Sequence, residues 1–441
     1  MRRRCGWRWI ISAAKQRFLP EECRRLCRLP RTLNQIVLAG SPSRAGAWDA
    51  FKAVVRPTNP AWLTVLSSIA LSLLGVYGID LARQLRGDPA ALSGLDPVAI
   101  KQVILLGVGI ASAILIALPD YRWLSYVAMA ISVLVLGLLV FLLVPGVPES
   151  IVRPRNGARG WINLGVFDIQ PSELAKIAFV LVLANYLRFR SNHRRPGGLI
   201  PPAIIAGIPI GLITLQPDLG SAMMFVPALF AMLLAAGAKK RHLILIVIAA
   251  TMAAPLSYPL LKPHQKQRIN GLLAQIKGDK QLDQDINFQP ITAQSLVGAG
   301  GISGTVDERS RALVHFSRLP ERHTDMIYSV LVNRFGLFGG AVIIGLYGVW
   351  MMGALLTAAI AKEPFGRLIV VGLATFVATQ AVVNISMNVG LLPIVGITLP
   401  FMSYGGSSLI ASWLMVGLVF SVSVRQSRLP QRKSFEYSDD E

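Results

Sequence analysis

From Ala61 onward, apolar residues fall into long blocks separated by short polar stretches. Each block is close to the roughly 20 residues that a helix needs to cross a bilayer. Ten blocks stand out, near 61–82, 98–118, 123–145, 173–189, 199–216, 219–237, 242–261, 335–358, 366–388 and 402–424. The seventh is the weakest, because Pro255 and Pro259 interrupt it. The pattern predicts an all-α polytopic membrane protein of about ten transmembrane helices. A long loop, 262–325, separates helices seven and eight. Residues 1–57 then form a basic N-terminal extension, 58–424 the transmembrane domain and 425–441 a short tail.

Within the ninth block and the start of the tenth the pattern changes. Gln380, Asn384 and Asn388 recur at helical spacing, so their amides share one face. In hydrocarbon such a face looks into a bundle or a wet cavity, not at lipid. Gly390, Pro393, Gly396 and Pro400 then break the helix, and Ser403-Tyr404-Gly405-Gly406-Ser407-Ser408 opens the next one. Irregular backbone beside a membrane survives only where protein or water satisfies it, so this stretch reads as a site. The start of the last helix could offer its N–H groups to an anion.

Composition supports the membrane reading: 53% of residues are hydrophobic and 15% charged, with a mean hydropathy of +0.54. Basic residues set an orientation. Arg188, Arg190, Arg194 and Arg195 fill one short loop, Lys239, Lys240 and Arg241 the next alternate one, and Lys362 and Arg367 flank the third. The short turn Gln216-Pro217-Asp218, on the opposite side, has no Lys or Arg. Positive loops stay in the cytoplasm, so both termini are expected inside and the long loops 146–172 and 262–325 outside. The net charge of +21 is concentrated in the N-terminal segment and these inner loops. That suits the anionic lipids of an inner leaflet and argues against nucleic acid. The N-terminal segment is not expected to be a cleavable signal peptide, having no apolar core followed by a small-residue cleavage site. Its Cys5, Cys23 and Cys27 have no nearby His or fourth ligand and read as reduced thiols.

Ionisable residues inside the spans are few, and each is a candidate. Glu173 and Lys176 follow a helix start at Pro171 and Ser172 and share a face. They read either as an ion pair that keeps a buried helix end neutral or as the floor of a polar cavity for a charged head group. Just upstream, Arg159-Gly160-Trp161 reads as an interfacial anchor, and Arg159 suits a phosphate. Asp218 reads most simply as an N-cap. Asp325, at the end of the long loop and before the apolar Met326-Ile327-Tyr328, reads as a helix-start residue or as a base whose pKa is raised by lost solvation. His323 carries the same ambiguity, and no second His at metal spacing supports zinc. Gly-x-Ser-x-Gly, His-Glu-x-x-His and phosphate-loop signatures are absent.

The segments GARGWINLG, QPSELAKI, QPDLGSA, HQKQRI, LPERHTD and NISMNVGLLPIVGITLPFMSYGGSS occur in that order between Pro60 and Val424. Together they resemble the SEDS proteins, of the RodA, FtsW and SpoVE type. The resemblance implies a ten-helix peptidoglycan glycosyltransferase. It would polymerise lipid II at the outer face of the bacterial cytoplasmic membrane, with the growing strand held on undecaprenyl diphosphate. It also implies a single-span class B penicillin-binding transpeptidase as partner. Asp325 matches the essential aspartate of the family, with the implied role of general base. Arg159, Glu173 and Lys176 match positions lining its central cavity. Gln216, Asp218, Gln380, Asn384 and the run Ser403, Tyr404, Gly405, Gly406, Ser407, Ser408 match further signatures implied to position substrate or structure. No protein-held metal is expected, although a divalent cation, magnesium or manganese, suits the diphosphate.

The chain departs from the family in two places. Asn333-Arg334 stands where an acidic pair is usual, which would add positive charge at the cavity's edge, and the Arg-rich extension lies outside the family core. LPERHTD leans toward elongation members, while Asn388 and the Gly396 to Pro400 segment lean toward division members. Two other classes compete: a flippase of lipid-linked precursor, which broken helices and buried charges also suit, and an inactive scaffold that recruits a transpeptidase. The Asn333-Arg334 departure is the scaffold's best support.

Overall fold

The computed structural model describes residues 59–83, 94–155, 158–163, 165, 168–190, 195–260, several between 266 and 274, and 287–425. The N-terminal extension with its three cysteines, Arg194, and the tail beyond 425 lie outside the described residues. The transmembrane helices are α1 (Ala61–Arg83), α2 (Pro97–Ala117), α3 (Leu124–Leu143), α4 (Pro171–Leu187) and α5 (Ile200–Leu215). They continue as α6 (Leu219–Met223), α7 (Phe225–Ala235) and α8 (Lys240–Ser257). The long loop contributes α9 (Phe288–Gly300) and α10 (Asp307–Phe316), and α11 (Ile327–Ile360), α12 (Pro364–Asn388) and α13 (Gly406–Val424) complete the bundle.

Seven helices are long and apolar enough to cross a membrane, with α3 counted from Tyr121 and α5 from Pro196 to include the short 3-10 turn before each. The other three predicted spans are also present as helix. α4 has 17 residues and carries a charged pair. The sixth span is split into α6 and α7 at Met224. α8 starts on Lys240 and Arg241 and contains Pro255. The molecule is a multi-pass, all-α membrane protein.

The buried fraction of each helix shows where the centre lies. In their most apolar windows, α13 is 72% and α12 61% buried, against 22% for α3. Helices α12 and α13 are therefore the axis, with α4, α7 and α11 around α12, and α2 along α13. Phe179 of α4, Phe225 of α7 and Phe376 of α12 meet edge to face with ring centroids 5.2–6.1 Å apart, each pair contributing roughly 0.5–1.5 kcal/mol beyond burial. Across the axis, α1 packs on α11, and Trp350 Nε1 donates to Ser68 Oγ at 3.0 Å. α8 differs: Leu243 is buried, but Ile244 to Ala249, Thr251 and Met252 are all exposed.

One end of the bundle carries both long loops. The first, expected to hold only an anchor around Trp161, folds into a small antiparallel sheet of β1 (Val152–Arg155), β2 (Ala158–Asn163) and β3 (Asp168–Ile169). Its register pairs Val152 with Ile162 and Ile162 with Ile169. α11 begins eight residues before the predicted span and is broken at Gly336, with φ 70° and ψ −169°. A Cβ there would lie 2.3 Å from Ile302 O, so only glycine lets the loop approach the helix this closely.

Candidate active site on the loop-bearing face

The site is organised by residues 389–405, which have no regular structure and lie between α12 and α13. Their backbone would be costly to bury unpaired, and the α12 stripe supplies the partners. Gln380, Asn384 and Asn388 are all buried on one face. Gln380 Nε2 donates to Thr398 O at 3.0 Å and Asn384 Nδ2 to Ile397 O at 2.6 Å. The stripe faces the bundle, as its spacing predicts.

A continuous polar chain runs from there into α4. This helix starts at Pro171, where a missing N–H costs nothing. Lys176 Nζ donates to Glu173 Oε1 at 2.7 Å and to Gln380 Oε1 at 2.9 Å. The two charged side chains are 2% and 6% exposed. Beyond Gln380, the hydroxyls of Thr398 and Ser408 lie 2.9 Å apart. Five side chains from Glu173 to Ser408 thus form one hydrogen-bonded line at the centre of the bundle.

The Ser403 to Ser408 run closes the site from the other side. Ser403 Oγ accepts from Leu399 N–H at 2.7 Å and donates to Thr324 O at 2.6 Å. Its own carbonyl accepts from Gln102 Nε2 of α2 at 3.0 Å. Tyr404 N–H donates to His323 O at 3.0 Å, and the two rings lie 5.7 Å apart. Gly405 is the N-cap of α13, Gly406 begins the helix against Leu105, and Ser407 Oγ donates to Asp168 O at 2.5 Å. Both loops are thereby fastened to the start of α13.

Asp325 is half-buried at this junction, two residues before α11. Its carbonyl accepts from Asn384 Nδ2 at 2.9 Å and Asn388 Nδ2 at 3.0 Å. A Cβ on Gly396 would lie 3.7 Å from Asp325 Oδ2, so the irregular segment passes beside the carboxylate. Asp325 is not the helix cap: the N-cap is Met326, and Asn388 Oδ1 takes the Ser329 N–H at 3.1 Å. Burial, with Arg83 nearby, holds the His323 imidazole below its ordinary pKa, so His323 is neutral at neutral pH.

Glu173, Lys176, Gln380, Asn384, Asp325 and Ser403 to Ser408 converge around residues 394–404. Gln216 and Asp218 support that segment from behind. Gln216 Nε2 donates to Leu139 O at 2.9 Å, and Asp218 caps α6 by accepting from Ser221 N–H at 3.0 Å. A Cβ on Gly220 would meet Val395 O at 2.7 Å. Arg159, on β2, donates to Val147 O at 3.4 Å within its own loop. Gln102, Thr398 and Ser329 join the site with no local signal in the sequence, and Asn388 joins it from the same stripe as Gln380 and Asn384.

Asn333 and Arg334 lie where the long loop meets the start of α11. Asn333 is fully buried, donating to Leu296 O at 2.9 Å and accepting from Ser310 Oγ at 2.8 Å. Arg334 donates to the Tyr77 hydroxyl at 3.0 Å and to Thr305 O at 2.8 Å. The pair stitches the long loop to the bundle.

The family model described as cell cycle protein, covering FtsW, RodA and SpoVE, matches residues 60–428. The chain belongs to this family. Among its relatives, stage V sporulation protein E of Bacillus subtilis is 32% identical over 85% of this chain and 99% of its own length. The probable peptidoglycan glycosyltransferase FtsW of Trichlorobacter lovleyi is 35% identical over 73% of this chain and 82% of its own. Among solved structures, a chain of a peptidoglycan synthase complex that coordinates polymerization and crosslinking aligns with a TM-score of 0.69 at 31% identity. It covers 83% of this chain and 98% of that one. The rod shape determining protein RodA of Thermus thermophilus aligns over the same shares with a TM-score of 0.60 at 28% identity.

Proposed function

We propose that this FtsW/RodA/SpoVE-family protein is a peptidoglycan glycosyltransferase that polymerises lipid II at the outer face of the bacterial cytoplasmic membrane. The loop-bearing face is then extracytoplasmic and both termini are cytoplasmic. The observation that carries the reading is the meeting of Asp325 with the irregular segment that also receives the Glu173–Lys176–Gln380 line. A carboxylate beside a polar, protein-lined niche at a membrane face is what a sugar acceptor needs.

In the proposed reaction Asp325 takes the proton of the acceptor sugar hydroxyl. The oxygen attacks the anomeric carbon of the donor, a new C–O bond forms, and undecaprenyl diphosphate leaves with the bonding electron pair. Base catalysis of this kind contributes about 10²- to 10⁴-fold. Arg159, Glu173, Lys176 and the start of α13 are assigned to the sugar-diphosphate head group. The assignment of Arg159 requires it to leave its Val147 carbonyl, and that of Glu173 and Lys176 requires their buried ion pair to open toward the substrate. Among the described residues no three His, Cys, Asp or Glu side chains converge. A magnesium or manganese ion carried by the diphosphate is proposed to neutralise the leaving group. The partner is proposed to be a class B penicillin-binding transpeptidase that crosslinks the product.

The test is polymerisation of labelled lipid II by the chain purified with its transpeptidase, resolved on a gel. Wild type is expected to give polymer and Asp325→Ala none, with the complex intact. Equal polymer from both would remove Asp325 from catalysis. Transport of lipid-linked precursor that survives in Asp325→Ala, with no polymer from wild type, would favour the flippase.

A further inference from the structure

The segment carrying Asp325 has no regular structure of its own. Residues 321–326 are a run of turns, and Glu321 has a positive φ of 50°. Its carbonyls nonetheless find fixed partners, three in succession. His323 O accepts from Tyr404 N–H, Thr324 O from Ser403 Oγ, and Asp325 O from both Asn384 and Asn388. Every donor comes from the α12–α13 region, 59 or more residues away in sequence.

Asn388 does more than donate. Its Oδ1 accepts from Ser329 N–H at 3.1 Å and Ser329 Oγ at 2.7 Å, while its Nδ2 reaches Asp325 O. The N–H of the third residue of a helix is the group that an N-cap side chain ordinarily takes. Here the cap comes from a different helix, and the residue before the N-cap is Asp325. Only a side chain that both donates and accepts can bind both sides of this junction, and Asn388 is fully buried where it does so.

We infer that Asn388, with Asn384 and Ser403, is a positioning residue for Asp325, seating the main chain that aims the carboxylate. This departs from substrate contact as the role of Asn384 and Ser403, because their side-chain polar atoms are already bonded within the protein, to backbone and, for Asn384 Oδ1, to the Asn388 amide. The inference rests on the glycosyltransferase reading and deepens it. A displacement of about 1 Å at a reacting group lowers turnover by as much as about a hundredfold without changing how substrate binds.

The experiment measures kcat and KM for lipid II in the purified complex, alongside melting temperature. Asn388→Ala and Ser403→Ala are expected to lower kcat by about ten- to a hundredfold, with KM within about twofold of wild type. Ser403→Thr, which keeps the hydroxyl, is expected to recover most of the lost turnover. Unchanged kcat in folded Asn388→Ala and Ser403→Ala overturns the inference. So does a loss carried by KM, which would make these residues substrate contacts, or a loss shared by Ser403→Thr. If Asn388→Ala does not fold, the two Ser403 variants decide alone. Asp325→Ala is run in parallel: polymer from that variant would sink the underlying reading whatever Asn388 does.

Discussion

The polar line from Glu173 to Ser408 and the ion cluster around Arg311 both join elements distant in sequence, but one is dry and the other half wet. In the first, Lys176 and Glu173 are 2% and 6% exposed, and Lys176 alone joins Glu173 to Gln380. In the second, Arg311 bridges Asp80 at 2.9 Å and Asp307 at 2.8 Å, with Tyr77 and Arg334 also on Asp307. Its side chains range from 8% to 28% exposed. The buried line leaves solvent little access to replace a lost partner. The second cluster is partly open to solvent and has redundant partners, so it holds α10 against α1 without depending on any single bond.

The sharpest way to break this contrast is Lys176→Met. It leaves the Glu173 carboxylate buried without its counter-charge, an arrangement that costs about 3–5 kcal/mol. The double variant with Glu173→Gln is expected to regain much of that, because no uncompensated charge remains. Thermal unfolding of the detergent-solubilised protein reads both. A double variant no more stable than Lys176→Met would show that the two charges are not coupled.

Next in size is Gly336→Ala, which tests backbone closeness rather than charge. A side chain at φ 70° and 2.3 Å from Ile302 O costs about 1–3 kcal/mol, and the strain falls on the contact between α11 and the loop. Hydrogen exchange is expected to speed up in α9 and α10 while α12 and α13 keep their protection. Uniform loss across the bundle would mean that the loop is not a separable unit.

How much of this was readable beforehand follows from the range of each signal. Pro171 and the four-residue spacing of Gln380, Asn384 and Asn388 are local, so the start of α4 and the shared polar face were legible. The partner of each amide was not. Nothing near Asn388 says that it caps α11, because the Ser329 N–H that it takes lies 59 residues earlier. The sheet in the first loop was hidden for another reason: Arg153-Pro154-Arg155 has no apolar alternation to mark a strand. The break at Gly336 was missed because apolar residues continue on both sides of it. The N-cap role of Asp218, by contrast, is a local bond and was read from three residues.

A smaller effect is expected at the wet cluster. Burial would raise the pKa of Asp307, but the bonds from Arg311 and Tyr77 outweigh it and hold the carboxyl below its ordinary range. The folded pKa is therefore below the unfolded value of about 4. The stabilisation is present above that pH and is lost as pH falls through the depressed value. Exchange protection of α10 is expected to decline below about pH 4 in wild type. Asp307→Asn should show lower protection at neutral pH and a flatter profile, with a difference of at most about 1 kcal/mol because the group is partly solvated. A profile as steep as that of wild type would place the titrating group elsewhere.

The least stability is at stake at Arg83, 37% exposed and 3.2 Å from Asp96. Surface pairs of this kind contribute about 0–1 kcal/mol, so Arg83→Ala should barely move the melting temperature. It should still be visible electrically. His323 is held below its ordinary pKa first by burial and then by the positive charge of Arg83. Removing that charge raises the His323 pKa part of the way back, while burial keeps it below the ordinary value. Histidine NMR across pH 5 to 8 reads the shift directly. A pKa that does not move would mean that water screens Arg83 from His323. The loop-bearing face would then be wetter beside Asp325 than the burial of His323 implies, and the dry region would end at the α12 stripe.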